Sequence, residues 1–177
     1  MPGQREYIAS DDYNDTEVLK FSVEGDLERW RSVYFTDQSP KFTLTVENLT
    51  EKKVDGTNWA RLVFDESDDD YDSAEQMNCT LKPHGSTSIH FRQDMLSYQG
   101  NAAIGIHPMT ATVKNGKYST SRDHERIERL YTFMVYDREY YKVNYFRPRR
   151  AQWFAALLTV GIVLFSAASY FYSIGWI

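Results

Sequence analysis

Asp65-Glu66-Ser67-Asp68-Asp69-Asp70-Tyr71-Asp72 is the stretch whose residue types and spacing come nearest to doing chemistry. Asp68, Asp70 and Asp72 occupy the first three ligand positions of an EF-hand-like loop, whose oxygens suit calcium. The rest of that pattern is missing, because Ser73 stands where the turn glycine belongs and Cys79 where the bidentate glutamate belongs. A solvated, self-repelling acidic loop is therefore expected, and these three carboxylates are only weak metal candidates. His84, His90, His107 and His124 have neither HxxxH nor HxH spacing. Each falls beside a turn or on a polar strand face, so surface histidines are expected rather than a zinc site. Gly85-Ser86 sits in no nucleophile elbow, and there is no P-loop or dinucleotide fingerprint. The expectation is a protein that is not an enzyme and carries no cofactor.

A single cysteine, Cys79, excludes an intrachain disulfide. In Met77-Asn78-Cys79-Thr80-Leu81 the residues Met77, Cys79 and Leu81 share one strand face, which reads as a buried and inert thiol. Acidic residues outnumber basic ones by 25 to 20, with clusters in Glu6–Asp26 and Asp65–Asp72. Nucleic acid is excluded as a partner by the lack of a basic stripe. The one strong basic cluster is Arg147-Pro148-Arg149-Arg150.

Directly after that cluster, Ala151 to Ile177 contains no charged side chain. A helix of that length spans about 40 Å, against a hydrocarbon core of about 30 Å. A C-terminal transmembrane helix over 151–177 is expected, with Arg147, Arg149, Arg150, Trp153 and Trp176 as its membrane flank. The N-terminus has no apolar h-region, so no signal peptide is read there. Positive charge before the span and none after it place the polar part on the cytoplasmic side, as in a tail-anchored protein. Asn14-Asp15-Thr16, Asn48-Leu49-Thr50 and Asn78-Cys79-Thr80 pull the other way, since all three match the glycosylation acceptor pattern.

The elements that must carry these residues read as strands. Phe42, Leu44 and Val46 alternate with polar residues in Lys41–Glu47, and Ala60, Leu62 and Phe64 do so in Trp59–Asp65. The two runs are expected to form a hairpin through the turn residues of Asn48–Gly56. Further strands are expected at Glu17–Val23, Met77–Leu81, Thr87–Phe91, Ala102–Ile106, Met109–Lys114, Arg129–Tyr136 and Tyr140–Tyr145. Asn115-Gly116 is a two-residue hairpin signal. The charge run within Ser121–Leu130 reads as a solvated hairpin end. The fold expected is mainly β, an antiparallel immunoglobulin-like β-sandwich plus the C-terminal helix. Its divisions are an N-terminal extension at 1–15, a sandwich at 16–146, a basic linker at 147–150 and the span.

Phe42-Thr43-Leu44-Thr45-Val46-Glu47-Asn48, followed by Leu81-Lys82-Pro83-His84-Gly85-Ser86-Thr87 with Ile89 and Phe91, resembles immunoglobulin-like domains of the CARDB type. Those domains carry F-x-L-x-V-x-N and L-x-P-G-x-S patterns. His84 stands here where the family has glycine. The resemblance covers about Phe42 to Asp137 and implies an adhesive or scaffolding sandwich. An aromatic stripe, Tyr131, Phe133, Tyr136, Tyr140, Tyr141, Tyr145 and Phe146, runs up to the basic cluster. It reads as core edge and membrane-proximal girdle, with Tyr136, Tyr140, Tyr141 and Tyr145 as a partner surface. The short tether to Ala151 is expected to hold the sandwich close to the lipid.

The function expected is that of a membrane-anchored interaction or scaffold protein whose partners are the bilayer and a protein or membrane complex. The alternatives are a structural accessory subunit of a large membrane complex or virion, and a calcium or small-ligand sensor.

Overall fold

The computed structural model describes residues 6–26, 33–64, 71–92, 96 and 98–173, with side chains for all of these except 71–73 and 171. The chain forms two compact units, Met1–Tyr136 and Asp137–Ile177. In the first, the described strands are β1 (Tyr7–Ser10), β2 (Glu17–Gly25), β3 (Val33–Phe35), β4 (Lys41–Asn48), β5 (Val54–Asp55), β6 (Thr57–Phe64), β7 (Tyr71–Asn78), β8 (Ser86–Arg92), β9 (Gly100–Ile106), β10 (Met109–Lys114), β11 (Lys117–Arg122) and β12 (Glu128–Tyr136). They pair in the orders β1-β2-β4-β8, β3-β12-β9-β6-β7 and β10-β11-β5. Most pairs are antiparallel, but β3 lies parallel to β12 and β5 parallel to β11, so the sheets are mixed rather than purely antiparallel.

Two sheets face each other across an aromatic core. Phe42 and Phe91 come from β4 and β8, while Tyr34, Tyr131 and Phe133 come from β3 and β12. The Phe42 ring stacks on Phe133 at 5.3 Å and lies 5.9 Å from Tyr131, and Tyr34 meets Phe133 edge-on at 4.9 Å. All five side chains are buried. Offset and edge-to-face arrangements at such distances are favoured by the ring quadrupoles, beyond the gain from burying the area. Close approach is possible because residue 25 is glycine: a Cβ there would stand 2.8 Å from the Tyr34 hydroxyl and 2.9 Å from the Tyr131 ring. The Tyr34 hydroxyl donates to Asp26 at 2.9 Å, and burial, above all, raises its pKa beyond the ordinary tyrosine range.

The alternation in Lys41–Glu47 is realised as β4, with Phe42, Leu44 and Val46 fully buried. The hairpin expected between this strand and the next is not formed. β4 pairs with β2 and β8, whereas β6 lies in the other sheet between β9 and β7. Alternation reports which face of a strand is buried and says nothing of its neighbour. The link between them crosses from sheet to sheet and turns at Asn48, which is fully buried. Asn115 and Gly116 do close the β10–β11 hairpin, both at positive φ, 50° and 78°, as a type I′ turn requires.

Two segments of the first unit differ from expectation. Tyr7–Ser10, expected in an extension, is a strand paired with β2, and Ala9 is fully buried. The Tyr7 hydroxyl accepts from the Met109 amide at 2.9 Å and donates to its carbonyl at 3.0 Å, tying the start of the chain to β10. Met77, Cys79 and Leu81 are all buried on one side, yet β7 ends at Asn78 and Leu81 makes an isolated bridge to Val54.

Candidate functional site

The second unit contains most of the residues that the sequence picks out for function. The strand expected at Tyr140–Tyr145 is helical instead. Asp137 caps α1 (Arg138–Tyr141) by accepting the Tyr140 amide on its side chain at 2.8 Å. One π turn comes next, at Lys142–Phe146, and α2 runs on from Arg147 to Ser173 without a break. The expected linker at 147–150 is thus the first turn of α2. Aromatic and β-branched residues favour strands only where a pleated surface exists to receive them.

The π turn sits directly before Pro148. Proline lacks an N–H and its ring crowds the carbonyl four residues back, here that of Asn144. Arg147 donates to the Lys142 carbonyl, five residues back, which widens the helix at that point. The Asn144 side chain donates to the Tyr140 carbonyl at 3.0 Å and so satisfies one acceptor within the widened turn.

The expected four-tyrosine surface divides. Tyr136 ends β12, and its carbonyl accepts the Thr36 amide at 3.0 Å. Tyr140, Tyr141 and Tyr145 gather on the helix, with Tyr141 stacked on Tyr145 at 5.3 Å and Tyr140 set against Tyr145 at 6.3 Å. Tyr131 and Phe133, from the same sequence stripe, belong to the sandwich core. The stripe is therefore core in its first part and helix surface in its last.

Arg147, Arg149 and Arg150 are exposed, and the Arg150 guanidinium lies over the Phe146 ring, 4.3 Å from its centroid. Trp153 stands one turn further on and is 67% exposed. Trp176 lies outside the described residues. From Ala151 onward the apolar side chains surround the axis: Leu157, Val160, Leu164 and Phe165 are all exposed. Two hydroxyls on the helix are satisfied within it, Thr159 donating to the Ala155 carbonyl at 2.9 Å and Ser173 to that of Tyr170 at 2.7 Å. The continuous helix is long and apolar enough to cross a membrane.

Of the carboxylates read as metal candidates, Asp68 and Asp70 lie outside the described residues. Asp72 lies in β7. Among the described residues, no group of three or more His, Cys, Asp or Glu side chains is placed to hold a metal ion. Cys79 is buried, and burial pushes its thiol up to about 12.

His107 departs from the expectation of a surface histidine, being only 2% exposed. Its backbone is clasped by Asn58, which donates to its carbonyl at 2.8 Å and accepts its amide at 3.3 Å, and its Nδ1 lies 3.0 Å from the Arg126 carbonyl. Nε2 is buried without a partner among the described residues. Burial, chiefly, and then the Arg61 charge hold its pKa below the ordinary histidine value, against the opposing pull of the Arg126 carbonyl. None of this is visible in the sequence, because Asn58 is 49 residues away. His84, by contrast, is exposed and adopts φ 52°, so the position where the CARDB-type pattern has glycine does take a left-handed backbone.

The three acceptor-like asparagines are also placed differently. Asn48 is fully buried, whereas Asn14 and Asn78 are exposed. An open recess of about 410 Å³ on the first unit is lined by Asp55, Thr57, Thr80, Ser119, Thr120 and Arg122. Asp55 is engaged there by Lys117 and, at 2.9 Å, by Lys53, which hold its carboxyl below the usual range. Among the described residues, no histidine lines the recess to serve as a base for its hydroxyls.

No family model and no curated protein matches the chain. Among solved structures it is similar to a CARDB domain from Pyrococcus furiosus, determined in complex with di-metal ions, at 13% identity over 66% of this chain and 91% of that one, with a TM-score of 0.39. The C-terminal domain of wzt overlays at 9% identity over 77% of this chain and 83% of that one, with a TM-score of 0.45. A β-glucosidase from Listeria innocua in complex with glucose overlays at 8% identity and a TM-score of 0.40, over 68% of this chain but 16% of the enzyme.

Proposed function

We propose that the chain is a non-enzymatic, single-pass membrane protein. In this reading an immunoglobulin-like sandwich on the cytoplasmic side, carried on a helical stem, docks a protein partner near the bilayer surface. The observation that carries the reading is the uninterrupted helix, capped at Asp137, charged up to Arg150 and then apolar around its whole circumference. A helix that is hydrophobic all round must be surrounded by something apolar, and over the roughly 35 Å from Ala151 to Ser173 a bilayer supplies that. The cytoplasmic side is supported by the arginines preceding the span. It is also supported by the burial of Asn48, which removes one of the three matches favouring the opposite side.

Partner docking is supported by the tyrosines of the stem. Their rings are large, amphipathic and lose little entropy on contact. From Arg138 to Arg150 the helix rises about 18 Å, so the stem extends beyond the hydrocarbon instead of ending at it.

Alkaline extraction of membranes tests the anchor. The full chain is expected to stay with the lipid, whereas a variant with Leu157, Val160 and Leu164 changed to aspartate is expected in the supernatant. Release of the unaltered chain would end the reading. Protease treatment of sealed vesicles tests the side. For the partner, a photo-crosslinker placed at Tyr140 or Tyr145 is expected to trap one protein in fixed yield; a chain that purifies alone as a monomer, with no adduct, refutes docking.

A further inference from the structure

We propose that the open recess beside β11 binds the phosphate group of a small soluble phosphate monoester, with Arg122 as its principal ligand. The site belongs to the first unit and does not depend on the membrane reading.

The recess follows from where strand pairing stops. β5 runs parallel to β11 for two residues only, with Val54 beside Tyr118 and Asp55 beside Ser119. The chain then turns at Gly56 into β6, which lies in another sheet, while β11 continues to Arg122. The Tyr118 amide donates to the Lys53 carbonyl at 2.9 Å, so it points away from β10. Backbone direction alternates along a strand, and Thr120 and Arg122 therefore turn their N–H groups toward the edge that β5 has left. A Cβ on residue 56 would lie 1.8 Å from the Thr120 hydroxyl, so only glycine lets the turn pass this close.

Charge in the recess is unbalanced. Asp55 supplies the one carboxylate among the lining residues, and both of its oxygens are taken, Oδ1 by Lys53 at 2.9 Å and Oδ2 by Lys117. The next carboxylate along the chain from Arg122, that of Asp123, accepts the Glu125 amide at 2.9 Å. Arg122 donates from Nε to His124 Nε2 at 3.2 Å, and its Nη1 is buried without a partner among the described residues. Lys53, Lys117 and Arg122 against Asp55 leave two positive charges in excess. The unit around them is acidic: Asp137–Ile177 holds five of the 20 basic and two of the 25 acidic residues, which leaves fifteen basic and twenty-three acidic in Met1–Tyr136. A partly buried guanidinium nitrogen without an acceptor is costly, and an incoming anion recovers that cost.

The donor set selects phosphate. A carboxylate presents two oxygens in one plane, whereas a phosphate monoester presents three at the corners of a tetrahedron. Beside the guanidinium, hydroxyls of Thr57, Thr80 and Ser119 line the recess from separate parts of the chain. The Thr80 hydroxyl accepts the Gly56 amide at 3.5 Å, which leaves its own hydrogen to donate. A guanidinium fork matches phosphate oxygens in pairs. Among the described residues no aromatic ring lines the recess, so it has no platform on which a nucleobase would stack. The ester's alcohol part is therefore small and leads out through the open mouth.

The test titrates the full chain, in maltoside micelles at about pH 7.5, where the phosphate dianion predominates, with inorganic phosphate, glycerol 3-phosphate and acetate at matched ionic strength in a calorimeter. Both phosphates are expected to saturate with a Kd of about 1 mM, the worth of two charge-assisted hydrogen bonds, and acetate to bind about tenfold or more weakly. Arg122→Met should weaken phosphate binding by about tenfold or more, and Arg122→Lys by less, since it keeps the charge and loses the fork. Lys114→Gln, at the far end of the β10–β11 hairpin, should change nothing. Ser119→Ala removes only a hydroxyl and should cost about threefold in affinity with an unchanged Tm, which keeps the test decisive if Arg122→Met fails to fold. No saturable heat with inorganic phosphate overturns the site, as does equal affinity for acetate or an affinity that neither Arg122→Met nor Ser119→Ala alters. Exclusion of glycerol 3-phosphate overturns the assignment to a monoester.

Discussion

Replacing Asn48 by alanine removes a side chain that makes four hydrogen bonds from a fully buried position. Its Nδ2 donates to the Lys52 carbonyl at 2.8 Å and to the Lys82 carbonyl at 2.9 Å, and its Oδ1 accepts the Thr50 amide at 3.0 Å and the Thr50 hydroxyl at 2.9 Å. The hydroxyl keeps a second acceptor, the Lys52 carbonyl at 3.1 Å. Three hydrogen bonds to backbone groups are lost, at about 1 kcal/mol each and about 3 kcal/mol in total; the Lys52 carbonyl keeps the Thr50 hydroxyl and the Lys82 carbonyl keeps the Gly85 amide, while the Thr50 amide loses its acceptor. A domain of this size loses roughly 4 °C of Tm per kcal/mol, so Asn48→Ala should melt about 12 °C lower. Near-UV circular dichroism of the full chain in detergent micelles reads this directly. Asn78→Ala, which removes an exposed side chain bonded to the Thr80 amide at 2.8 Å, is the control and should stay within about 4 °C. If Asn48→Ala also melted within about 4 °C of the parent, the asparagine would not be the clasp between β4 and the two turns that it bonds.

Three further outcomes are expected. Stability should decline as pH falls below about 6.5, because the unfolded chain protonates residue 107 at that ordinary value whereas the folded chain resists it; urea midpoints between about pH 7.5 and 5 should show this, and His107→Asn should flatten that part of the curve. Gly25→Ala places a methyl group against Tyr34 and Tyr131 and should cost about 1–3 kcal/mol in the same denaturant assay; an unchanged midpoint would mean that the two sheets can part there without loss. Pro148→Ala restores an N–H facing the Asn144 carbonyl. Hydrogen exchange should then show a protected amide at 148 and the π turn replaced by regular helix; rapid exchange there would separate the π turn from its proline.

The parts of the fold legible in the sequence are those whose cause is local. One-sided burial writes alternation into Lys41–Asn48, two consecutive positive-φ positions call for Asn115-Gly116, and the apolar length of 151–173 announces a helix. Pairing is not local, and so alternation alone suggests a β4–β6 hairpin where a crossover exists. Tyr140–Tyr145 has strand composition, but it lies between the Asp137 cap and a long helix. Propagating an existing helix costs far less than starting a strand with no sheet beside it. His107 owes its burial to Asn58 and the Arg126 carbonyl, neither of which any short motif contains. The basic and aromatic residues of the stem are legible as types and positions. Which of them meet on one side of the stem, as Tyr141 and Tyr145 or Arg150 and Phe146 do, needs the helix.

The π turn at Lys142–Phe146 also sets the rotational phase of the helix beyond it. A helix widened by one residue is geometrically a helix with a single insertion. Deleting one residue between Lys142 and Phe146 would return the ladder to its ordinary four-residue step and leave the azimuth of Arg147 and everything after it unchanged. The same deletion between Ala151 and Ser173 would swing every later side chain by about 100°. The stem therefore contains a five-residue window that absorbs a change of chain length without twisting the segment beyond it.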